Sequence, residues 1–486
     1  MSDHIVRPAN RTVAWEAALP WLVAAGIGVL LILLAPKLLN DPDSYSHIAL
    51  GRWIVAHHSV PATDPLSQTM RGAPWIAFEW LSQVAYAGVY ALGGWIATVT
   101  LAALAGALSF GTLTWLLQRE WRPLPALAAV LTALVLVAPH LAARPHLLAM
   151  PVLVVWIGTL IHANDRRRDP PWWLLPLMTL WANLHGSFTF GLAMLGPIAL
   201  ESLWQAAPEA RPRLLQRWIM FGALALIAAC LNPYGPAMVA VTFRTIALGR
   251  ALSVITEWRA QDFSHLSSYE LIVLGSFAFA LYRGIKLPPL RILMLFGVLY
   301  LSLTQVRHAD LLGLLAPLFL ARPLAQQFKG LAVQPVAQGV RAPFAVALVL
   351  LAFVGPVVAR VGVVPPARNT PAAALRAIDP ASAGPILNSY DFGGYMDFIG
   401  VPPFIDGRTE LYGTDYVLRY DRAMNLRSVP DFLALLDDYK IQTTLLAPNT
   451  PAVGLLDRLP GWKRVYSDKV AVVHRRVTPI DAVPRP

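Results

Sequence analysis

The segment "AALPWLVAAGIGVLLILLAP" (residues 17–36) contains 20 residues and no charged side chain. An α-helix rises about 1.5 Å per residue, so this segment is long enough to cross the roughly 30 Å hydrocarbon core of a bilayer. It is longer than the apolar part of a secretory signal peptide, about 7–15 residues, and no small-residue cleavage pattern follows it. The segment therefore predicts a first membrane-spanning helix that stays in the protein.

The composition of the whole chain has the same character. Of 486 residues, 56 % are hydrophobic and 14 % are charged, whereas a soluble domain carries about 25 % charged residues. The net charge of +11 comes from Lys and Arg dispersed over short loops, which favours a role in membrane orientation over nucleic-acid binding. The single cysteine, Cys230, excludes an intrachain disulfide and a cysteine-based metal site.

Similar apolar segments recur and predict a polytopic α-helical membrane protein with about eleven transmembrane helices. With the N-terminus in the cytoplasm, every cytoplasmic loop is basic, in agreement with the positive-inside rule. Gly93 and Gly94 interrupt one long uncharged stretch, so we expect a helix on the outer surface at 80–92 and a crossing after it. The predicted crossings are residues 17–36, 95–117, 124–139, 147–163, 171–184, 187–204, 217–232, 269–282, 288–304, 310–321 and 343–359.

The sequence changes character after residue 360, where a Pro- and Ala-rich connector begins. We therefore predict a transmembrane domain at 1–360, with its first external loop at 37–94, and a C-terminal extracytoplasmic α/β domain at 361–486. A helix is predicted at "VPDFLALLDDY" (429–439). Short strands are predicted at "GPILNSY" (384–390), "PPFIDGR" (402–408), "IQTTLLAP" (441–448) and "VAVVHRR" (470–476).

Titratable side chains collect on the predicted outer face, since only His4 and His162 of the 11 histidines fall on the cytoplasmic side. Asp41 and Asp43 follow the first crossing directly, and either carboxylate can serve as a general base. A structural alternative also fits Asp41, because Asp is a favoured N-cap and a helix is expected at 43–56.

Glu79 lies among aromatic residues in "WIAFEWLSQ", where an apolar setting raises the pKa of a carboxyl group. Such a group can act as an acid, a base or a metal ligand. The alternative is a structural ion pair with Arg52 or Arg71. The sequence leaves both interpretations of Glu79 open.

Two Arg/His pairs stand at helix ends on the same predicted face: Arg144 with His146, and Arg307 with His308. The planar guanidinium matches phosphate oxygens, so the two pairs favour an anionic ligand over lipid-facing snorkelling. The further candidates for substrate or phosphate binding are His47, His185, Glu257 and Arg259. For His185, in "NLHGS", interhelical hydrogen bonding is an equal alternative.

Two segments carry a family resemblance. Residues 40–83, "NDPDSYSHIALGRWIVAHHSVPATDPLSQTMRGAPWIAFEWLSQ", resemble the first external loop of the GT-C glycosyltransferase superfamily. They are similar to uncharacterised bacterial relatives of protein mannosyltransferases and aminoarabinose transferases, a group like glycosyltransferase family 39. "NSYDFGGYMDFIGVPPFIDGRTELYG" (388–413) resembles a segment of the same bacterial set.

The resemblance implies a GT-C-like enzyme in the bacterial inner membrane. Such an enzyme moves a sugar from a polyprenyl-phosphate donor to a lipid, glycan or protein acceptor on the extracytoplasmic face. The first-loop acid is the base, Arg and His hold the carrier phosphate, and Asp41 matches that acid best, with Asp43 as its rival. The family's Asp-Glu pair is replaced by Asp-Pro-Asp, so a divalent cation (Mg²⁺, Mn²⁺ or Ca²⁺) at Asp43 and Glu79 stays open.

Three other functions remain as alternatives: a transporter or flippase, an O-antigen ligase or polymerase, and a non-catalytic assembly subunit. Binding groups near one membrane face argue against a transporter, whose sites lie near the bilayer midplane. The chain contains no GxxxxGK[ST], GxGxxG-acid, HExxH or GxSxG motif. For Asp406 and Arg408 in "FIDGR", a structural pairing within the C-terminal domain is favoured over contact with the acceptor.

Overall fold

The computed structural model describes residues 12–247, 256–332 and 362–477. Up to residue 332, the named secondary-structure elements in these ranges are all helices. The α-helices there are α1 (Thr12–Leu33), α2 (Ala35–Leu38), α3 (Asp43–His57), α4 (Trp80–Leu117), α5 (Pro123–Val137), α6 (Pro145–Asp165), α7 (Leu175–Leu184), α8 (Phe188–Ala193), α9 (Leu195–Gln205), α10 (Arg211–Ala229), α11 (Ala237–Ala247), α12 (Ser268–Arg283), α13 (Pro289–Thr304) and α14 (Ala309–Gln327).

Within the described ranges, five helices are long and apolar enough to cross a membrane: Trp15–Leu33, Trp80–Leu117, Pro123–His140, Pro145–Asp165 and Val306–Gln327. Each predicted crossing up to residue 321 coincides with helical structure. However, α7 has 10 residues and the predicted crossing at 187–204 is divided into α8 and α9, all shorter than the about 20 residues of an upright crossing. The predicted crossing at 343–359 lies outside the described residues, and the total number of crossings stays a prediction.

The predicted interruption of α4 is confirmed. Gly93 and Gly94 have non-helical backbone angles, and Gly94 has a φ of 60°, which a residue without a Cβ adopts easily. The break separates a first helical segment, which begins at Trp80, from the segment that ends at Leu117. The second segment packs against α1 and α6.

Helix α3 begins at Asp43, as predicted, and lies directly on α4. A Cβ atom at Gly51 would stand 2.0 Å from the carbonyl oxygen of Gln83, so glycine is what permits this close approach. The Oδ1 of Asp41 accepts a hydrogen bond from the backbone N–H of Asp43 at 2.9 Å, but the N-cap position is occupied by Pro42 and has no side-chain cap, so the structure does not give Asp41 the predicted N-cap position. The packing places the acidic start of α3 beside the residues that precede α4.

The C-terminal residues form a four-stranded sheet in the order β1-β2-β4-β3. β1 and β2 are parallel, with Leu387 opposite Thr444, and the other two pairs are antiparallel. The strands are β1 (Ile386–Asn388), β2 (Thr443–Leu446), β3 (Trp462–Ser467) and β4 (Val472–Arg476). The helices are α15 (Ala372–Ile378), α16 (Gly393–Phe398), α17 (Thr409–Tyr412), α18 (Thr414–Met424), α19 (Val429–Asp438) and α20 (Pro451–Leu456).

Three of the four predicted strands and the helix near 429–439 are confirmed, whereas the strand predicted at 402–408 is wrong. The Oδ1 of Asn388 accepts the backbone N–H of Phe404 at 2.7 Å, and its Nδ2 donates to the carbonyl of Ile405 at 2.8 Å. The buried Asn388 amide thus takes the place of a neighbouring strand. The sequence analysis also missed β3. Its side chains are largely exposed, so it lacks the apolar alternation by which strands are recognised.

Candidate functional site

One cavity of about 810 Å³ lies between the helix ends of the first part of the chain and the C-terminal residues. The first loop, the start of α6 and the turn before α14 bring their polar residues to it, and residues between 390 and 425 form the facing wall. The predicted site residues in its lining are Asp41, Asp43, His47, Glu79, Arg144, His146, His185, Glu257, Arg307 and His308. The cavity therefore unites ten of the eleven predicted side chains.

Arg259 is the exception, because it does not line the cavity. Its backbone carbonyl accepts the N–H of Val306 at 2.8 Å and so ties the segment after Glu257 to the turn that holds Arg307. The prediction that the Arg259 side chain binds substrate stays a prediction. The neighbouring Asp262 is exposed and accepts the backbone N–H of Ser264 at 2.9 Å.

Three carboxylates surround the Arg144 guanidinium, which stands just before α6. Its Nη1 lies 2.7 Å from Asp41 and 2.8 Å from Glu257, and its Nη2 lies 3.1 Å from Asp43. Burial opposes the charge on Arg144, yet the carboxylates of Asp41, Glu257 and Asp43 raise its pKa well above the ordinary value. The guanidinium in turn lowers the pKa of Glu257 to about 2. One permanent cation thus holds three acids together.

Asp43 differs from its neighbours in this cluster. Burial, followed by the charge of Asp41, raises the pKa of Asp43 to about 8 even though Arg144 opposes the shift. Both carboxylate oxygens of Asp41 accept hydrogen bonds, one from the Asp43 backbone and one from Arg144. Of the residues that the structure describes, none donates a hydrogen bond to Asp43 Oδ1.

The residues do not fit the divalent cation that the sequence left open at Asp43 and Glu79. The carboxylates nearest Asp43 converge on a guanidinium, and Glu79 faces two histidines instead. Across the described ranges, no group of three or more His, Cys, Asp or Glu side chains has an arrangement that could hold a metal ion.

Glu79 lies between His185 and His47. Its Oε1 is 3.4 Å from His185 Nε2, and its Oε2 is 3.9 Å from His47 Nδ1. The backbone N–H of Ser187 donates to His185 Nδ1 at 3.1 Å, so the neutral His185 ring carries its proton on the nitrogen that faces Glu79. The predicted alternative, an ion pair with Arg52, is not what the structure shows, because that guanidinium lies over the rings of Tyr90 and Phe398.

Burial determines the charge states of this group. It raises the pKa of Glu79 to about 8 and, with the field of Arg144, lowers that of His47 to about 3. The pKa of His185 also falls well below its usual range, first through burial and then through the charge of Arg307. At neutral pH the group is therefore an uncharged carboxyl between two uncharged imidazoles. Neither His47 nitrogen has a hydrogen-bond partner among the described residues.

The opposite wall presents a guanidinium without a partner among the described residues. The Arg307 guanidinium lies 4.6 Å from the centre of the Trp258 ring, and the described residues offer it neither an ion pair nor a hydrogen bond. His146 Nε2 lies 3.0 Å from the carbonyl oxygen of His140 and must donate to it. The buried Oε1 of Gln305, which is an acceptor, and the Nδ1 of His308 lack a partner in the described part of the chain. The unpaired Arg307 guanidinium gives this wall a group that suits an anion.

The C-terminal wall contributes residues that sequence reasoning missed. A Cβ atom at Gly407 would stand 1.9 Å from Asp43 Oδ1, so the backbone of the "FIDGR" segment closes directly on this carboxylate. Glu410 also lines the cavity, and its Oε1 accepts a hydrogen bond from Trp75 Nε1 at 3.0 Å. Further missed polar residues in the lining include His140, Gln305, Asp310, Tyr390 and Asp391. The acidic and glycine residues of "DGRTE" were the available signal.

Arg408 has the structural pairing that the sequence favoured, and it also contacts a residue of the first part of the chain. Its Nη2 lies 2.6 Å from Asp406, and its Nη1 lies 2.5 Å from Asp64 of the loop between α3 and α4. A second contact supports the same junction, where Ser46 in α3 donates to the carboxylate of Asp397 at 2.8 Å. All of these side chains except Arg408 and Ser46 lie outside the cavity lining, so the pairs hold the two walls together.

The chain matches no protein-family model and no curated protein. Solved structures do resemble it. The apo Archaeoglobus fulgidus oligosaccharyltransferase has a TM-score of 0.53 at 10 % identity, covering 90 % of this chain and 70 % of that chain. The A. fulgidus oligosaccharyltransferase AglB, in complex with an inhibitory peptide and a dolichol-phosphate, has a TM-score of 0.54 at 12 % identity, covering 89 % and 69 %. ArnT from Cupriavidus metallidurans, bound to undecaprenyl phosphate, has a TM-score of 0.47 at 15 % identity, covering 96 % of this chain and 99 % of that chain.

Proposed function

We propose that this chain, which has the GT-C fold of the archaeal oligosaccharyltransferases, is a membrane glycosyltransferase. It moves a sugar from a polyprenyl-phosphate donor to a lipid, glycan or protein acceptor. One observation carries the proposal: a cluster of carboxylates and an unpaired guanidinium line the same cavity. The structure of AglB with a dolichol-phosphate supports a lipid-linked donor. The loop charges favour a site on the extracytoplasmic face of a bacterial inner membrane, with the N-terminus in the cytoplasm.

Glycosyl transfer needs two kinds of groups, and the cavity contains both. A hydroxyl oxygen of the acceptor attacks the anomeric carbon of the donor, and the bond from that carbon to the phosphate oxygen breaks. The hydroxyl proton passes to a carboxylate, and the leaving polyprenyl phosphate takes the bonding electrons. A positioned base contributes about 10²- to 10⁴-fold to such a step. Fixed donors aimed at the developing negative charge contribute a comparable factor or more.

Asp43 is the better candidate for the base. Both oxygens of Asp41 already accept hydrogen bonds, whereas Asp43 Oδ1 lines the cavity without a donor from the described residues. Burial raises the pKa of Asp43 to about 8, so this carboxyl is mostly protonated at pH 7, and its ionised fraction is a stronger proton acceptor than an ordinary aspartate. In this proposal Asp41 and Arg144 position Asp43, and Glu257 completes the charge balance around the guanidinium.

Arg307 is the better candidate for holding the carrier phosphate. The sequence proposed this role for both Arg144 and Arg307, but Arg144 already contacts three carboxylates. Arg307 has no such competitor in the described residues, and His146 and His308 line the cavity with it. The ring of Trp258 supports its guanidinium from one side. The leaving phosphate gains negative charge as its bond to the sugar breaks, so a free guanidinium stabilises the transition state more than the bound donor.

Transfer by the purified protein tests this proposal. The full chain, in detergent or nanodiscs, is supplied with radiolabelled polyprenyl-phosphate sugars and membrane acceptors, and the labelled product is measured. We expect the transfer rate of Asp43→Asn to be at least 100-fold lower than that of the wild type. The rate of Asp41→Asn should also be lower, because the substitution displaces Asp43. Asp262→Asn, an exposed acid outside the cavity, is the matched control. Full transfer by both site variants would refute the assignment of the base. Movement of the donor across the membrane without a new glycosidic bond would establish the transporter instead.

A further inference from the structure

A second cavity of about 550 Å³ lies far from the candidate active site. We call it the arginine pocket; its lining residues are Arg119, Glu120, Arg166, Arg322, Ala325, Gln326 and Ala332. Three separate parts of the chain supply its arginines: the turn after α4, the turn after α6 and the last part of α14. The convergence of three guanidiniums from three segments distinguishes this pocket from dispersed basic loops.

The arginine pocket is at the opposite end of the helices that build the active site. Glu79, Arg144 and Arg307 stand at the starts of α4, α6 and α14, whereas the pocket arginines stand at or near their ends. Helix α6 has 21 residues, which corresponds to about 30 Å at 1.5 Å per residue and matches the hydrocarbon thickness of a bilayer. The two cavities therefore belong to opposite faces of the predicted membrane.

The charges of the arginine pocket are not balanced within the described residues. Its single carboxylate, Glu120, lies 3.1 Å from Arg166 Nη2. The Arg119 guanidinium stacks 3.7 Å from the centre of the Trp115 ring, a contact that leaves its N–H groups free to donate. Arg322 has neither an ion pair nor a hydrogen bond to any described residue. The guanidiniums of Arg119 and Arg322 therefore have no carboxylate partner among the described residues and can bind an anion.

Backbone contacts hold one wall of the pocket in place. The backbone N–H of Arg122 donates to the carbonyl of Leu331 at 2.7 Å, and Trp121 forms a β-bridge with Ala332. Trp121 Nε1 also donates to the carbonyl of Ala321 at 2.6 Å. These bonds tie the turn after α4 to α14 and to the residues that follow it. The spacing of Arg119 and Arg322 is therefore set by the fold and not by flexible loops.

We propose that the arginine pocket binds the phosphate of an anionic phospholipid headgroup. Guanidiniums pair strongly with phosphate oxygens, and basic pockets between transmembrane helices are suited to lipid headgroups. The apolar part of the lining, Ala325 and Ala332, together with the neighbouring Trp115 ring, favours a lipid over a free ion. The bound lipid would link α4, α6 and α14 at the end that lies opposite the active site.

Native mass spectrometry of the full chain tests the proposal, with dioleoylphosphatidylglycerol as the anionic probe and dioleoylphosphatidylcholine as the zwitterionic one. We expect the wild type to retain phosphatidylglycerol and Arg322→Gln to bind it about tenfold more weakly, because a charge-assisted hydrogen bond is lost. The matched control is Arg213→Gln, an exposed arginine at the start of α10, and it should bind like the wild type. Arg119→Gln is a second test should Arg322→Gln fold poorly.

Three results would overturn the proposal. Equal retention of phosphatidylglycerol by the wild type and by both pocket variants would show that the arginines bind no headgroup. Equal retention of phosphatidylcholine by the wild type would show that charge plays no part. Inorganic phosphate provides the remaining arm: if millimolar phosphate displaces the lipid from the wild type and binds with the same dependence on Arg322, the pocket binds free phosphate and the lipid assignment is wrong.

Discussion

The Arg144 guanidinium donates to the Asp41 carboxylate at 2.7 Å, although 103 residues separate them. Asp43 and Glu257 lie around the same cation, so Arg144→Gln leaves three acids without their counter-charge. Removing one partner of a buried ion pair costs about 3–5 kcal/mol, and we expect a lower Tm and loss of transfer. Arg144→Lys keeps the positive charge but loses the planar, forked set of guanidinium donors. Its Tm should lie between those of Arg144→Gln and the wild type, and it should show little activity. Full activity in Arg144→Lys would contradict the positioning role.

Gly407→Ala tests the contact between the C-terminal wall and the predicted base. A methyl group at this position would stand 1.9 Å from Asp43 Oδ1 and 3.0 Å from its Oδ2, so the carboxylate has to move. We expect transfer to fall by about 10²-fold, because a displacement near 1 Å at a reacting group has that cost. Gly196→Ala is the control, since a methyl group added there would meet no neighbouring atom within 4 Å. Equal rates in the two variants would show that Asp43 does not act from its present position.

The local features of the site could be predicted from the sequence, but their meeting could not. Asp41, Asp43 and Glu79 each follow or precede an apolar segment, and such positions are visible without a fold. The contact of Arg144 with Glu257, 113 residues away, depends on how the helices pack, which no local pattern encodes. For this reason the sequence assigned Arg144 to phosphate, whereas the structure pairs it with carboxylates.

The contacts of the C-terminal wall also could not be predicted from the local sequence. "PPFIDGR" has the apolar residues of a strand, yet Asn388 binds its backbone and leaves Gly407 free to approach Asp43. Glu410 follows in the same segment, where nothing in the local sequence distinguishes it from a surface acid. Residues of this kind become functional candidates only when the fold brings them to a cavity that other segments build.

Glu79→Gln tests the buried carboxyl between the two histidines. The pKa of Glu79 is raised to about 8 in the folded chain, whereas an exposed glutamate ionises near 4.3. Between these values the folded state binds more protons than the unfolded state, so wild-type stability falls as the pH rises. The loss amounts to roughly 1.4 kcal/mol per pH unit at most. Glutamine does not ionise, and we expect the variant to unfold at a higher temperature than the wild type above pH 8 and at a similar one near pH 5.

Tryptophan fluorescence during thermal unfolding, recorded from pH 5 to 9, measures this effect. Glu209→Gln replaces an exposed acid in a surface turn and serves as the control, with a pH profile parallel to that of the wild type. If Glu79→Gln also runs parallel to the wild type, Glu79 is already ionised in the folded protein, and the uncharged group around it does not exist.

Arg307→Gln separates the phosphate-binding wall from the acidic wall. Because the guanidinium has no ion pair among the described residues, its removal leaves no carboxylate without a partner, and the Tm should change little. Transfer should fall by about 10²- to 10³-fold in kcat/KM, since a fixed donor to the developing phosphate charge is lost. Most of this loss belongs to kcat, because the charge on the phosphate grows in the transition state. Arg307→Lys should recover part of the rate, while Arg71→Gln, at an exposed arginine of the first loop, should behave as the wild type. A rise in KM at constant kcat would show that Arg307 only anchors the bound donor, and the leaving phosphate would then need another cation.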